Sequence, residues 1–107
     1  MAKKALEVLT ESMYYILMAF LHKEMCGKDV VDFINNKTNG RIKIGPGTLY
    51  TILAKFEEGE FIKEISIKGR KRTYEITNKG KEIFEKELER YKLCVLDAES
   101  EEVNEVS

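Results

Sequence analysis

The stretch RIKIGPGTLYTILAKFEEGEF, residues Arg41–Phe61, decides the fold because it predicts one helix with a defined beginning, apolar face and end. Pro46 suits the first position of a helix, where its missing N–H costs no hydrogen bond. Gly59 suits the C′ position, just past a helix end. The apolar residues between them recur every three or four positions: Leu49, Ile52, Leu53, Phe56. We therefore predict a helix over Pro46–Glu58 with one core-facing stripe.

The opposite flank of this helix is small. Advancing about 100° per residue places Gly47, Thr51 and Ala54 opposite the stripe. Tyr50 and Lys55 lie on the flanks. A helix with so small an exposed face can enter the major groove of B-DNA, which is ~12 Å wide.

Two helices are predicted before this one. The apolar segment after Thr10 predicts a helix over about Thr10–His22, with Thr10 or alternatively Ser12 as its N-cap. This helix is expected to be buried on most sides or to face a partner subunit. A stripe of Val30, Val31 and Ile34 predicts a second helix over about Lys28–Lys37.

Two β-rich segments and a last helix follow. Phe61–Ile67 and Arg72–Ile76 flank the turn Lys68–Lys71, which predicts an antiparallel hairpin. Thr77 is expected to cap a helix that runs to about Leu96, roughly 30 Å in length. The fold class predicted from this order is mainly α with a small β-hairpin: a winged helix-turn-helix plus a long C-terminal dimerisation helix.

The chain is predicted to form one domain. It covers residues 1–97 and includes the last helix at about 77–96; the acidic tail 98–107 is expected to be disordered. So long a helix cannot be covered by so small a domain, so its apolar stripe needs another surface, most simply a second copy of the chain.

The net charge of −1 over 107 residues conceals an uneven distribution. Residues 41–81 contain ten basic and five acidic residues, a net charge of +5, whereas residues 97–107 contain five acidic and no basic residues. Four cations are concentrated at the hairpin tip: Lys68, Arg70, Lys71, Arg72. A local basic surface of this kind is typical of proteins that bind nucleic acid.

The sequence contains no residue pattern that is typical of a catalytic site or a cofactor-binding site. Its one histidine, His22, and two distant cysteines, Cys26 and Cys94, form no catalytic or metal-binding pattern, so we predict no enzymatic activity, no metal and no cofactor. No apolar run is long enough to span a membrane. We expect two reduced thiols in a cytoplasmic protein, and a redox-sensing pair remains open.

Three segments resemble the PadR family of bacterial transcriptional repressors, in its small branch without an extended C-terminal domain. They are Leu9–Leu21, Gly40–Ile62 with its GPGTLY at Gly45–Tyr50, and Arg72–Leu88. The resemblance implies a homodimer joined through the first and last helices and a palindromic operator in double-stranded DNA. The DNA contacts it implies are Lys43, Gly47, Thr48, Tyr50, Thr51, Lys55, Arg70, Lys71 and Arg72. The expected dimer interface comprises Tyr14, Tyr15, Met18, Phe84, Leu88, Tyr91 and Val95.

Release by a small hydrophobic or aromatic effector is also implied by the resemblance, although the chain has no tryptophan to sandwich a flat ligand. Two alternatives remain at this point: a winged-helix module that binds another protein, and a ligand sensor that does not bind DNA. The small face of Gly47 and Thr51 favours DNA, whereas Glu58 on the same face favours a protein partner.

Overall fold

The fold was derived from a computed structural model, which describes the backbone of residues 9–106 and the side chains of residues 9–102. The first eight residues of the predicted domain and Ser107 of the predicted tail lie outside the described part. The elements are α1 (Glu11–His22), β1 (Met25–Cys26), α2 (Gly27–Lys37), α3 (Pro46–Glu58), β2 (Ile62–Lys68), β3 (Lys71–Ile76) and α4 (Asn78–Val106). The predicted fold class, a winged helix-turn-helix followed by a long C-terminal helix, is confirmed.

The helix starts follow local capping chemistry. The Thr10 hydroxyl accepts a hydrogen bond from the Met13 N–H at 3.2 Å, as predicted for the N-cap of α1. The α2 helix begins one residue earlier than predicted, at Gly27. Its cap is Cys26, whose backbone N–H and Sγ each lie 3.3 Å from Asp29 Oδ2. Cysteine is a rare N-cap, so composition did not indicate this start.

The end of α3 differs in one detail from the sequence interpretation. Gly59 has a right-handed backbone with φ −81° and is the C-cap, and Glu60 takes the left-handed C′ position with φ 65°. The Phe61 N–H donates to the Phe56 carbonyl at 2.8 Å, and the two rings meet edge to face with centroids 6.2 Å apart. This hydrogen bond and the ring contact are features of a Schellman motif. In this motif the C′ residue, Glu60, has a left-handed backbone, which glycine would adopt more readily.

The sheet has three strands in the order β1-β3-β2, all antiparallel. The predicted hairpin is confirmed with a two-residue loop, Gly69-Arg70, in which Gly69 has φ 62°. A bulge interrupts the pairing between Glu64 and Ser66. The two-residue strand β1, which pairs with β3 at Met25↔Tyr74, was not predicted because it is too short to show a period in sequence.

The prediction that α4 ends near Leu96 is wrong, because the helix continues into the tail that was expected to be disordered. The helix continues to Val106 and has 29 residues, which corresponds to ~43 Å. Beyond Gly80 the sequence contains no glycine or proline that would end a helix, and Ala98 and the glutamates after it are good helix formers. Negative charge is typical of a disordered tail, but the helix propensity of these residues accounts for the later end of α4.

The core surrounds α1 and joins it to α4. Ile16, Leu17 and Ala19 of α1 have no exposed surface. The Tyr14 ring stacks on Phe84 with centroids 4.8 Å apart and meets Tyr91 edge to face at the same distance. These rings fix the first half of α4 to the domain, whereas residues 92–102 of the same helix are exposed.

Candidate nucleic-acid interface

The predicted recognition surface on α3 lies open to solvent. The stripe Leu49, Ile52, Leu53 and Phe56 is buried, as its spacing predicted. The residues of the opposite flank and the loop before it are exposed: Lys43, Gly47, Thr48, Tyr50, Thr51, Ala54, Lys55. A Cβ placed on Gly45 or Gly47 would meet nothing within 4 Å. The start of α3 therefore offers backbone that another molecule can approach closely.

Tyr50 connects this flank to the start of α2. Its side chain is 59% exposed, yet its hydroxyl would lie 3.1 Å from a Cβ on Gly27. The Leu49 side chain would lie 3.2 Å from the same position. The absence of a side chain at Gly27 thus lets α3 pack directly on the first turn of α2, with Tyr50 at the edge of the contact.

The hairpin β2–β3, here called the wing, ends in a cluster of cations. Lys68 and Lys71 are directly opposed across the strands, and Arg70 stands in the loop between them. All three are exposed, and none forms an ion pair with a described residue. Like charges opposed across two strands destabilise the pairing. An anion at the wing would relieve this repulsion.

Arg72 differs from its neighbours because its charge is already compensated. Its Nε lies 3.0 Å from Glu64 Oε2, and the Glu64 side chain is only 24% exposed. Beside this pair, burial raises the pKa of the Tyr74 phenol, and the adjacent Arg72 partly opposes that shift. The structure therefore places Arg72 on the predicted surface but gives its guanidinium an internal partner.

The wing and the flank of α3 meet around the start of α2. Cys26 pairs with Thr73 of the wing, and Gly27, the next residue, lies beneath Tyr50. The pKa of the Asp29 carboxyl is lowered, first by its hydrogen bonds from Cys26 and further by the positive charge of Lys71. The start of α2 thus contacts both strand β3 of the wing and Tyr50 of α3.

The part of the sequence that forms α2, α3 and the wing matches a known family model. The model for the transcriptional regulator PadR-like family matches residues 16–86, about two thirds of the chain. The chain belongs to this family. The resemblance inferred from Leu9–Leu21, Gly40–Ile62 and Arg72–Leu88 is thereby confirmed, and the family is one of transcriptional regulators rather than enzymes.

Solved structures share the fold of this PadR-like chain. A transcriptional regulator from Clostridium thermocellum is similar with a TM-score of 0.73 and 24% identity, over 82% of this chain and 89% of that one. A PadR family regulator from Clostridium difficile is similar with a TM-score of 0.69 and 17% identity, over 82% and 94%. Bacillus subtilis PadR, solved with operator DNA, is similar with a TM-score of 0.65 and 23% identity, over 74% of this chain and 48% of that one. No curated protein matches.

The residues predicted for a dimer interface fall into two groups. Tyr14 and Phe84 are buried inside the protomer, with 9% and 4% exposed, so they offer little surface to a second copy. Tyr15, Met18, Leu88 and Tyr91 are half-buried and Val95 is 55% exposed, so each retains surface. Leu93 and Leu96 of this PadR-like chain are also exposed, and the sequence analysis did not single them out.

Glu87 of α4 is a further residue that the sequence analysis missed. It is 3% exposed, accepts the Leu9 N–H at 2.7 Å and receives a second hydrogen bond from Arg90 Nε at 2.7 Å. These hydrogen bonds, that from Arg90 above all, lower the pKa of the Glu87 carboxyl. In the sequence it is one of many glutamates on a charged helix, and only the fold of this PadR-like chain brings Leu9 onto it.

The described residues contain no group of three or more potential metal ligands among histidine, cysteine, aspartate and glutamate. Within the same part of the chain, no helix has an apolar stretch that could cross a bilayer. Cys26 is buried and Cys94 is exposed, each as a free thiol. An open groove at the base of the wing is lined mainly by polar and charged residues of α3, β2 and α4: Glu57, Glu60, Lys63, Glu64, Thr77, Asn78, Lys79.

Proposed function

We propose that this PadR-like regulator is a sequence-specific DNA-binding transcriptional repressor that acts as a homodimer on a palindromic operator. The observation that carries the proposal is the exposed small flank of α3 beside a wing with three cations that lack a described partner. Bacillus subtilis PadR, which has a similar fold, was solved with operator DNA, and this supports the proposal.

Some residues of α3 would contact base edges, and others would contact phosphates. Thr48 and Thr51 carry hydroxyls that can reach base edges once the helix enters the major groove, and Gly47 allows the close approach. Lys43 and Lys55, together with Tyr50, would contact phosphates at either end of the helix. Of the wing residues, Arg70 and Lys71 would contact DNA directly, whereas Arg72 would do so only by giving up part of its interaction with Glu64.

A second copy would supply the second half of the site. Two recognition helices reach successive major grooves when they are about 34 Å apart, and a palindromic operator matches the two-fold symmetry of a dimer. The half-buried stripe of Leu88 and Tyr91 continues to the exposed Val95, which gives α4 an apolar surface that its own protomer does not cover. We assign the dimer contact to this stripe together with Tyr15 and Met18 of α1.

A small hydrophobic or aromatic effector is part of the same proposal. The groove at the base of the wing is a poor place for such a ligand because charged residues predominate in its lining. An effector would instead use apolar surface between the α1 and α4 helices of two copies. Action on a chromosomal operator would place the protein in the cytoplasm.

Selection from random-sequence duplex DNA at moderate salt tests the function. We expect an enriched inverted repeat. If the dimer neutralises about eight phosphates, the slope of log affinity against log salt should be about −7. Thr51→Ala should mainly change the selected sequence, and Lys55→Ala should weaken all sequences about equally.

Two further results would decide between the proposed function and its rivals. A slope near zero with no enriched sequence would favour a protein partner or a ligand-only sensor over DNA. A reporter whose promoter overlaps the enriched repeat should be transcribed less when the protein is present, because bound protein occludes the promoter. Higher transcription would show an activator instead of a repressor.

A further inference from the structure

The two faces of the wing tip differ in chemistry. Tyr74 points into the core, and Arg72, two residues earlier on the same strand, lies on the same face. Ile67 is directly opposite Arg72 and therefore shares that face. The next pair, Lys68 with Lys71, lies on the other face. One face of the tip is thus cationic and the other carries an isoleucine beside a compensated arginine.

A bulge in β2 is responsible for the position of Ile67. Without it, Glu64 and Ile67 would be on opposite faces, because side chains alternate along a strand. The pairing shifts by one residue between Glu64 and Ser66, so Ile67 comes to lie on the same face as Glu64. Bulges are known to redirect side chains in this way and are frequent beside functional sites.

Ile67 lies beyond the reach of the core. It is 57% exposed and is absent from the cluster of buried and half-buried apolar residues that includes Ile62 and Tyr74 of the same hairpin. The neighbouring Arg72 is held by Glu64 at 3.0 Å. This face therefore presents the alkyl side chain of Ile67 beside Arg72, whose side chain is 56% exposed but already paired with Glu64.

We infer that Ile67 makes an apolar contact with one wall of the DNA minor groove while Lys68 and Lys71 face the phosphates of the other strand. This inference rests on the proposed function. The minor groove is ~6 Å wide, so a thin hairpin within it meets a wall on each face. Cations are attracted by phosphates, and isoleucine is among the side chains that pack against sugars or base steps there. Ile67 is a contact residue that the wing cations alone did not indicate.

The experiment compares Ile67→Thr with Ile65→Thr. Threonine keeps the β-branch, so strand preference is retained while the apolar contact is reduced. Ile65 is the matched control because it is 39% exposed on the same strand but lies at the bulge, away from the face of Ile67. The probe is a duplex carrying the inverted repeat enriched in the selection described above, and thermal unfolding checks that both variants fold.

Ile67→Thr is expected to weaken binding about five- to tenfold without changing the salt slope, because an apolar contact releases no counterions. Lys68→Ala should weaken binding and flatten the slope by about one unit per protomer, and Ile65→Thr should bind as the wild type does. Wild-type affinity in Ile67→Thr, an equal loss in Ile65→Thr, or a flatter slope in Ile67→Thr would overturn the inference. If the wild-type protein itself binds no duplex, this result contradicts the proposed function, and the inference that rests on it is overturned as well.

Discussion

Lys68 and Lys71 occupy directly opposed positions on the two strands of the wing, next to a loop of only two residues. Their ammonium groups cannot separate by sliding the strands, because the register is set by the loop and by the pairs Ile67↔Arg72 and Ser66↔Thr73 behind it. The free protein thus carries a repulsion that a polyanion would relieve. Stability and binding should respond in opposite directions when this pair is altered.

Lys68→Glu should stabilise the free protein by roughly 0.5 kcal/mol at low salt, because it turns an opposed like-charge pair into an attractive one. The gain should shrink at high salt, and the affinity for DNA should fall. Urea denaturation at two salt concentrations measures the first effect. Lys63→Glu is the control with the opposite expected sign. Lys63 Nζ lies 3.6 Å from Glu75 Oε2, so this change replaces an attractive pair by a repulsive one and should destabilise the hairpin.

Glu87→Gln should destabilise the protein by ~1–2 kcal/mol at neutral pH, since hydrogen bonds to a buried charged group are lost or weakened. The pKa of Glu87 is lowered from its usual value of about 4.5. Its contribution is therefore complete above that value and is lost as the pH falls through the lowered pKa of the folded state. Chemical denaturation at several pH values should show wild type and variant converging in acid. Glu89→Gln, at a side chain 70% exposed, should change stability little.

Gly80→Ala should destabilise the protein by about 3 kcal/mol or more, although alanine favours helices. A Cβ at this position would overlap the Phe61 carbonyl oxygen and lie 2.7 Å from Ile76 Cγ1. The helix start cannot shift easily, because the Thr77 hydroxyl accepts the Gly80 N–H and itself donates to the Glu60 carbonyl. Gly47→Ala, at an open position, should leave the thermal midpoint unchanged or raise it while weakening DNA binding. Equal loss of stability in both variants would contradict this account.

Glu60→Gly should stabilise the protein by ~0.5–1 kcal/mol. Glu60 is held at φ 65° by the hydrogen bond and ring contact between Phe56 and Phe61, and glycine adopts this conformation without the strain of a Cβ. Glu85→Gly, on the exposed surface of α4, should cost about 1 kcal/mol and serves as the comparison. Urea denaturation of both variants measures the difference.

Val95→Glu should shift the protein towards monomer in sedimentation equilibrium. Val95 is 55% exposed and follows Tyr91 by four residues on the same side of α4. Leu93 is similarly exposed but projects from the opposite side of the helix, so Leu93→Glu should leave the association unchanged. Dimer loss in the Leu93 variant alone would assign the interface to the other face of α4.

Local patterns in the sequence were sufficient for the four helices and the hairpin, apart from the end of α4. Pro46 and Gly59 predicted the bounds of α3, and the three- and four-residue spacing of its apolar residues predicted its buried face. The capping preference of Thr10 predicted the start of α1. These features depend on neighbours within one or two helical turns, so they can be seen in a single stretch of chain. The later end of α4 was not predicted, because its acidic residues are typical of a tail by composition although glutamate is a good helix former.

The sequence by itself determined the order of the four helices and the hairpin, the core face of α3 and the concentration of cations at the wing. The tertiary structure decided which wing cations form ion pairs with described residues, because Arg72 lies against Glu64 across the strands while Lys68 is opposed to Lys71. It also decided that Glu87 becomes a buried acceptor for Leu9, 78 positions away, and that a bulge places Ile67 on the face of Arg72. Contacts between residues far apart in sequence leave no periodic signal, because they depend on how complete elements pack and on the register of their strands.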